Sequence, residues 1–350
     1  MNKNGVVDTP VRNFRCIPVV KNPFPIIDAE MNGSCLLISD SIYLINNGVK
    51  TDLGTYINAL AEQIRGLAAS RDHFYIYSQN GLYSVKKDGS DLNAYYSSNE
   101  CLSSDFVNSI DICDDLLAAG TREGLTIRTF NNSLNILFEK YRGSRTIAGW
   151  FTLDPENCPI KERDILSVKI IGGSIYLVSQ NYVTIYDWNR DYFEEFPKDE
   201  YLHGAFISEI KGVGDNVFFS TYGGISRYEP MFKKWTLFEE EEFTQNEAFI
   251  GMTFLSGYAY FCTSGMILSM DMASEIFRKL FESTDTAGRG YIGIEGYKDN
   301  VFVATPNGLT VYDPSSSRTS LLLPGYTVLK ILIRSGVLFA VTNNEIFRIE

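Results

Sequence analysis

A Ser or Thr closes a short apolar run eight times along the chain, at Ser39, Ser78, Thr121, Ser179, Thr221, Thr263, Thr305 and Thr342. Successive separations are 39, 43, 58, 42, 42, 42 and 37 residues. A period near 42 sustained over 350 residues is the mark of a repeat architecture. Residues 216–228 read NVFFSTYGGISRY, 300–312 read NVFVATPNGLTVY and 73–85 read HFYIYSQNGLYSV. Each is an apolar run, a turn with Gly or Asn, and a second apolar run. Asn-Gly and Gly-Gly favour the positive φ of tight hairpin turns, so each repeat contains a β-hairpin.

Two further strands flank each hairpin. Upstream, segments such as 206–212 and 107–113 alternate apolar with polar residues, as a half-buried strand does. Downstream lie 235–238, 277–281 and 320–323, about fourteen residues after the marker. Four strands in about 40 residues is the unit of a β-propeller blade. The last repeat supplies three strands, at 328–333, 337–341 and 345–349, while 13–20 precedes the first repeat without a hairpin of its own. The N-terminal segment is therefore expected to be the missing outer strand of the final blade, closing the ring and removing two open edges. Pro18 suits an outermost strand, which has a solvent-facing side. The expected fold is all-β: one closed propeller over residues 1–350 with eight four-stranded blades, seven being the runner-up. The weakest repeat is the first, 26–54, whose turn at Asp40-Ser41 lacks glycine.

The segment Cys101-Leu-Ser-Ser-Asp-Phe-Val-Asn-Ser-Ile110, followed by Leu117-Ala-Ala-Gly-Thr121-Arg-Glu-Gly-Leu125, resembles the two-component regulator propeller repeat. Residues 305–314 and 221–230 fit the same pattern. The resemblance implies a propeller of the kind found in extracytoplasmic sensor regions of hybrid histidine kinases, which bind glycan fragments or partner domains. The family's Trp before the Thr motif is absent, and no kinase or immunoglobulin-like segment is present, so the kinase label does not transfer. WD40 propellers are a weaker likeness. Their Gly-His and Trp-Asp pairs do not recur; Asp187-Trp188 stands in reversed order. Kelch propellers need a regular double glycine, and only Gly172-Gly173 and Gly223-Gly224 occur.

Apolar residues make up 45 % of the chain, enough for cores between blades, and Phe and Tyr together number 44. The net charge of −12 repels nucleic-acid phosphates and anionic membranes, so neither nucleic acid nor membrane insertion is expected. The acidic run Glu239 to Glu242 reads as a solvated loop. No segment has signal-peptide layout or the ~20 apolar residues of a membrane helix. Cys16, Cys35, Cys101, Cys113, Cys158 and Cys262 are scattered without a C-x-x-C pair, which points to reduced thiols and a cytoplasmic chain.

Chemistry is sparse. His73 and His203 are the only histidines, and neither lies in a nucleophile-elbow or zinc-ligand context. No catalytic residue, metal or cofactor is expected. Glu30, Asp111, Glu209 and Glu295 fall on the expected innermost strands and are candidate channel-lining residues for a small polar ligand or glycan. The bland reading of the four is a solvated channel wall. The Ser and Thr markers are expected to bond backbone groups at their hairpin turns.

One interval breaks the period. The 58 residues between Thr121 and Ser179 exceed it by about 16, and the extra segment is read as a loop, 142–161, inserted between the third and fourth blades. Arg145, Trp150 and Phe151 within it are the candidate partner-binding residues, being the types found at binding hot spots. The competing reading is that the loop buries these rings itself. The expected function is a non-enzymatic binding module or scaffold for a protein partner. The alternatives are a ligand-sensing propeller and a propeller lyase or hydrolase.

Overall fold

The middle strands of each repeat are apolar on both faces, so every sheet needs cover on two sides, and this dictates a stack of sheets. A computed structural model describes residues 14–23, 25–32, 34–38, 41–54, 56–57, 63–113, 115–130, 134, 138–141, 149–204, 206–238, 248–282 and 290–350. The chain is a β-propeller of eight four-stranded antiparallel sheets. Its contacts divide into two compact units, Phe24–Phe249 and Met1–Pro23 with Ile250–Glu350.

The first unit holds blades one to five. Blade one is β1′s successor set: β2 (Asp28–Asn32), β3 (Ser34–Ile38), β4 (Ile42–Asn46) and β5 (Val49–Asp52), where β1 is the N-terminal strand Cys16–Lys21. Blade two is β6 (Ile64–Ala69), β7 (His73–Ser78), β8 (Gly81–Lys86) and β9 (Asn93–Tyr95). Blade three is β10 (Val107–Ile112), β11 (Leu116–Thr121), β12 (Gly124–Thr129) and β13 (Trp150–Leu153). Blade four is β14 (Ser167–Ile171), β15 (Ser174–Val178), β16 (Tyr182–Asp187) and β17 (Tyr192–Pro197). Blade five is β18 (Ile207–Val213), β19 (Asn216–Thr221), β20 (Gly224–Glu229) and β21 (Lys234–Phe238).

Alternation along the strands feeds two cores at once. On β11, Leu116 and Ala118 face blade four, packing with Ile127, Phe151, Ile175 and Tyr186. Leu117 and Ala119 face blade two, packing with Tyr75, Leu82 and Trp150. Each such fully buried large side chain is worth about 1.5–3 kcal/mol relative to exposure. First strands of neighbouring blades are also stapled. Asp111 accepts hydrogen bonds from the Ile170 amide (2.7 Å) and Lys169 Nζ (3.1 Å) across the gap between blades three and four.

The second unit holds blades six to eight. They are β22 (Phe249–Leu255) to β25 (Phe277–Glu282), then β26 (Gly293–Tyr297) to β29 (Arg318–Leu322), and finally β30 (Val328–Arg334), β31 (Val337–Thr342) and β32 (Glu345–Ile349). Their cores repeat the pattern, with Tyr260 against Tyr312 and Phe302 against Phe347 in successive clusters. β1 pairs antiparallel with β32 from Cys16↔Ile349 to Lys21↔Glu345, so the first and last strands share one sheet, as the sequence predicts. Pro18 lies on the outermost strand, beside a bulge that absorbs its missing amide.

The markers do what their spacing implies. Thr305 Oγ1 donates to Gly308 O (2.8 Å) and accepts from the Asn307 amide (3.2 Å). Ser78, Thr121, Ser179, Thr221, Thr263 and Thr342 repeat this clip between the marker hydroxyl and its turn. Ser39 lies outside the described residues. At the fourth turn position Gly124 has φ +132, and a Cβ there would stand 2.5 Å from the Leu153 carbonyl oxygen. Glycine is required there by both the turn and the outer strand.

The inserted loop needs correction. Residues 150–153 are not loop: they form β13, the outer strand of blade three, with register Ile127↔Phe151 and Arg128↔Trp150. The extra length lies inside blade three, between β12 and β13, rather than between blades three and four. The physical reason is alternation: Trp150 enters the core toward blade two, while Phe151 and Leu153 enter the core toward blade four. Leu134, Phe138 and Tyr141 of the extra segment pack into that second core. Tyr141 Oη donates to Asp191 Oδ1 (2.9 Å), and Lys140 pairs with the same carboxylate.

Replacing Thr305 by Val keeps shape and removes two turn bonds. The expected loss is about 1–3 kcal/mol in denaturant unfolding, with Thr305→Ser retaining most of it. An unchanged midpoint for the valine variant would refute the clip.

Candidate binding surface

The end of the blade where the inner strand begins is also where the middle hairpin turns. In blades two, three and five the amide after the marker donates there to the carbonyl just before the inner strand: Gln79 to Gln63 (3.1 Å), Arg122 to Phe106 (3.3 Å) and Tyr222 to Phe206 (3.1 Å). Backbone pairing thus sets two side chains beside each other on every such rim. In blade two both are Gln. In blade three the Arg122 guanidinium lies 3.6 Å above the Phe106 ring, with Arg65 of blade two 5.3 Å from the same ring. In blade four Leu166 is exposed. In blade five Phe206 and Tyr222 are 66 % and 58 % exposed, with ring centroids 5.7 Å apart.

β6, β10, β14 and β18 lie side by side in that order, so these residues form one arc over blades two to five. The arc is held firmly. Asn108 Nδ2 on β10 donates to Asp164 Oδ1 (2.8 Å) and Ile165 O (3.0 Å), just before blade four. His203 packs against the same turn: its carbonyl faces Thr221 Oγ1, and its ring lies over Gly224. Among the described residues neither Arg65 nor Arg122 pairs with a carboxylate. Contiguous exposed rings and aliphatics with stacked guanidinium groups are what a protein-binding hot spot is made of. The equivalent rim of the last blade, Thr327 and Asn343, is polar.

The residues singled out by sequence lie elsewhere. Trp150 and Phe151 are 3 % and 0 % exposed, buried in the blade cores as residues of a strand rather than under a loop of their own. Arg145 lies outside the described residues, as do Arg142 and the Glu239 to Glu242 run. Glu30, Asp111 and Glu209 stand on the inner strands β2, β10 and β18, and Glu295 on β26 of the other unit. Asp111 is engaged by Lys169, and Glu209 by Lys211 (3.3 Å). Glu30 is buried, accepts from the Met31 amide (3.2 Å) and lies close enough to Cys35 to act on its thiol.

Burial acts on several titratable groups. Burial, helped by the Glu30 charge, pushes the Cys35 thiol up to about 12, and burial likewise raises Cys158 to about 12. Neither thiol is a nucleophile near neutral pH. Burial first, then the Arg128 charge, holds His73 below its ordinary value. His73 and His203 sit at opposite ends of their blades, one at the start of β7 and one before β18. No cluster of three or more metal-ligating side chains occurs among the described residues.

Core and surface aromatics should separate cleanly on substitution. Phe151→Ala is expected to cost about 3–5 kcal/mol in equilibrium unfolding. Phe206→Ala should stay within about 0.5 kcal/mol of the parent. A large loss for Phe206→Ala would mean that its ring supports the fold.

The sequence matches no protein-family profile and no curated protein sequence. Solved structures do match in fold. The computationally designed Ika8 protein aligns with a TM-score of 0.67 at 9 % identity, covering 95 % of this chain and 98 % of that one. Saccharomyces cerevisiae Sqt1 aligns at 0.63 and 10 % identity, covering 94 % and 95 %. The extracellular domain of the BT4673 hybrid two component system from B. thetaiotaomicron aligns at 0.55 and 15 % identity. That match covers 81 % of this chain and 38 % of that domain. The chain is thus an eight-bladed β-propeller, similar in fold to WD40-like propellers and to the extracellular propeller domains of two-component systems.

Proposed function

We propose that the chain is a non-enzymatic binding module that presents the rim of blades three to five to a protein partner. The observation that carries this reading is the exposed ring pair Phe206 and Tyr222, continued by Leu166 and by Phe106 under Arg122. A rim of this kind gains from covering apolar surface, at about 25 cal/mol per Å². Arg65 and Arg122 favour a partner segment that carries carboxylates beside its apolar side chains. The chain's net charge of −12 disfavours polyanionic partners, so the guanidinium groups select locally rather than by bulk attraction.

Fold likeness to Sqt1 and to a sensor-system extracellular domain supports a binding role in general and leaves the partner to be found. No disulfide joins cysteines among the described residues, which suits the reducing cytoplasm we assign to the chain. A second exposed apolar pair, Met231 and Phe232 at 75 % and 71 %, caps the β20–β21 hairpin at the other end of blade five. The pair belongs to one hairpin tip, with Lys233 of that tip lying over the exposed Tyr192 of blade four; the rim spans three blades and is the stronger candidate.

Co-purification from the native source decides between the two ends. The double variant Phe206→Ala/Tyr222→Ala is expected to lose a partner about tenfold or more, as hot-spot truncation does, with an unchanged melting temperature. Met231→Ser/Phe232→Ser should retain it. Loss with the second pair only would move the site to the hairpin tip. Full recovery with both would end the scaffold reading.

A further inference from the structure

A cleft of about 540 Å³ opens between blades two and three, at the opposite end of β10 from Phe106. Its walls include His73, Asp91, Asn93, Tyr95, Arg128 and Phe130. Arg128, on β12, is its central group. The guanidinium carbon lies 5.0 Å from the Tyr95 ring, 5.2 Å from the Trp150 ring and 5.5 Å from the Phe130 ring. Nη1 donates to Tyr95 Oη (2.5 Å), and that hydroxyl is also bonded to Ser84 Oγ (3.1 Å). Three rings and a Ser84–Tyr95 relay therefore fix the fork in place, and among the described residues one of its five N–H donors is used on protein.

Charge makes this arrangement unusual. The chain carries 43 acidic residues against 31 basic ones, yet among the described residues no carboxylate pairs with Arg128. Asp91, on the same wall, is engaged by Lys86 (3.3 Å) and Asn93 Nδ2 (3.2 Å). His73, held below its ordinary pKa by burial and by Arg128, brings a neutral imidazole rather than a second cation. What results is a positioned guanidinium with no carboxylate partner among the described residues, in a cleft walled by Tyr75, Tyr95 and Phe130 together with Arg71, Asp72 and Asp91.

We infer that this cleft is a binding site for a small monocarboxylate, with Arg128 as its anchor. A planar carboxylate matches the fork with two parallel N–H···O bonds, and Tyr95 and Phe130 on the cleft wall offer ring surface to an attached apolar group. Asp72 and Asp91 line the same cleft beside Arg71, so a singly charged carboxylate meets less repulsion there than a phosphate dianion does. The site is distinct from the rim of blades three to five and does not depend on it.

Isothermal titration of the full chain at fixed ionic strength tests the assignment, with potassium benzoate, potassium acetate and inorganic phosphate as probes. Benzoate is expected to bind saturably at one site, acetate more weakly, and phosphate more weakly than benzoate. Arg128→Lys keeps the charge without the fork and should weaken benzoate about tenfold; Arg128→Gln should abolish binding. Melting curves check both variants, and the lysine variant alone decides if the glutamine variant does not fold. The proposal fails if neither carboxylate binds saturably up to about 20 mM, a limit near −2 kcal/mol. It also fails if the variants bind benzoate as the parent does, or if phosphate binds more tightly than benzoate.

Discussion

A sheet that is apolar on both faces cannot be left with one face in water, and most of this structure follows from that. β11 is buried along its whole length, and its neighbouring residues alternate between the core shared with blade two and the core shared with blade four. No blade can be stable alone, because half of its apolar surface is matched only by the next blade. The same demand explains why the outer strand of the last sheet comes from the N-terminus. Without β1, the β32 edge would stand open along Glu345–Ile349.

The repeat was legible because its signals are local. A marker hydroxyl, a turn that needs positive φ and two apolar runs all fall within about thirteen residues, and each acts on backbone atoms a few positions away. Bonds such as Thr305 to Gly308 O bear this out. The outer strand of blade three was not legible for the complementary reason. Trp150 follows Thr121 by 29 residues, whereas Lys234 follows Thr221 by 13, so distance from the marker pointed away from a strand. The short apolar run Trp150-Phe151-Thr152-Leu153 was the signal that could have identified it, being close in composition to Trp235-Thr236-Leu237-Phe238 of blade five.

The binding rim was hidden by dispersion. Phe106, Leu166 and Phe206 are far apart in sequence, and each alone is an ordinary loop-edge apolar residue. They converge because each occupies the position just before an inner strand, and inner strands lie side by side. Comparing that one position across repeats would have exposed the arc. Arg128 was hidden in another way: its partners Tyr95 and Trp150 come from different blades and lie 33 and 22 residues away. Trp150 contributes to a candidate site after all, as a wall behind a guanidinium rather than as an exposed anchor.

Rigid elements carry both candidate surfaces, so each is pre-formed and needs little ordering on binding. The partner site we propose is the rim of blades three to five. A photo-crosslinking side chain placed at position 222 and, separately, at position 232 tests it most directly in the native source. The account predicts a discrete protein adduct from position 222, competed by excess unmodified chain, and background labelling from position 232. A competed adduct from position 232 alone, or background labelling from both, would contradict it.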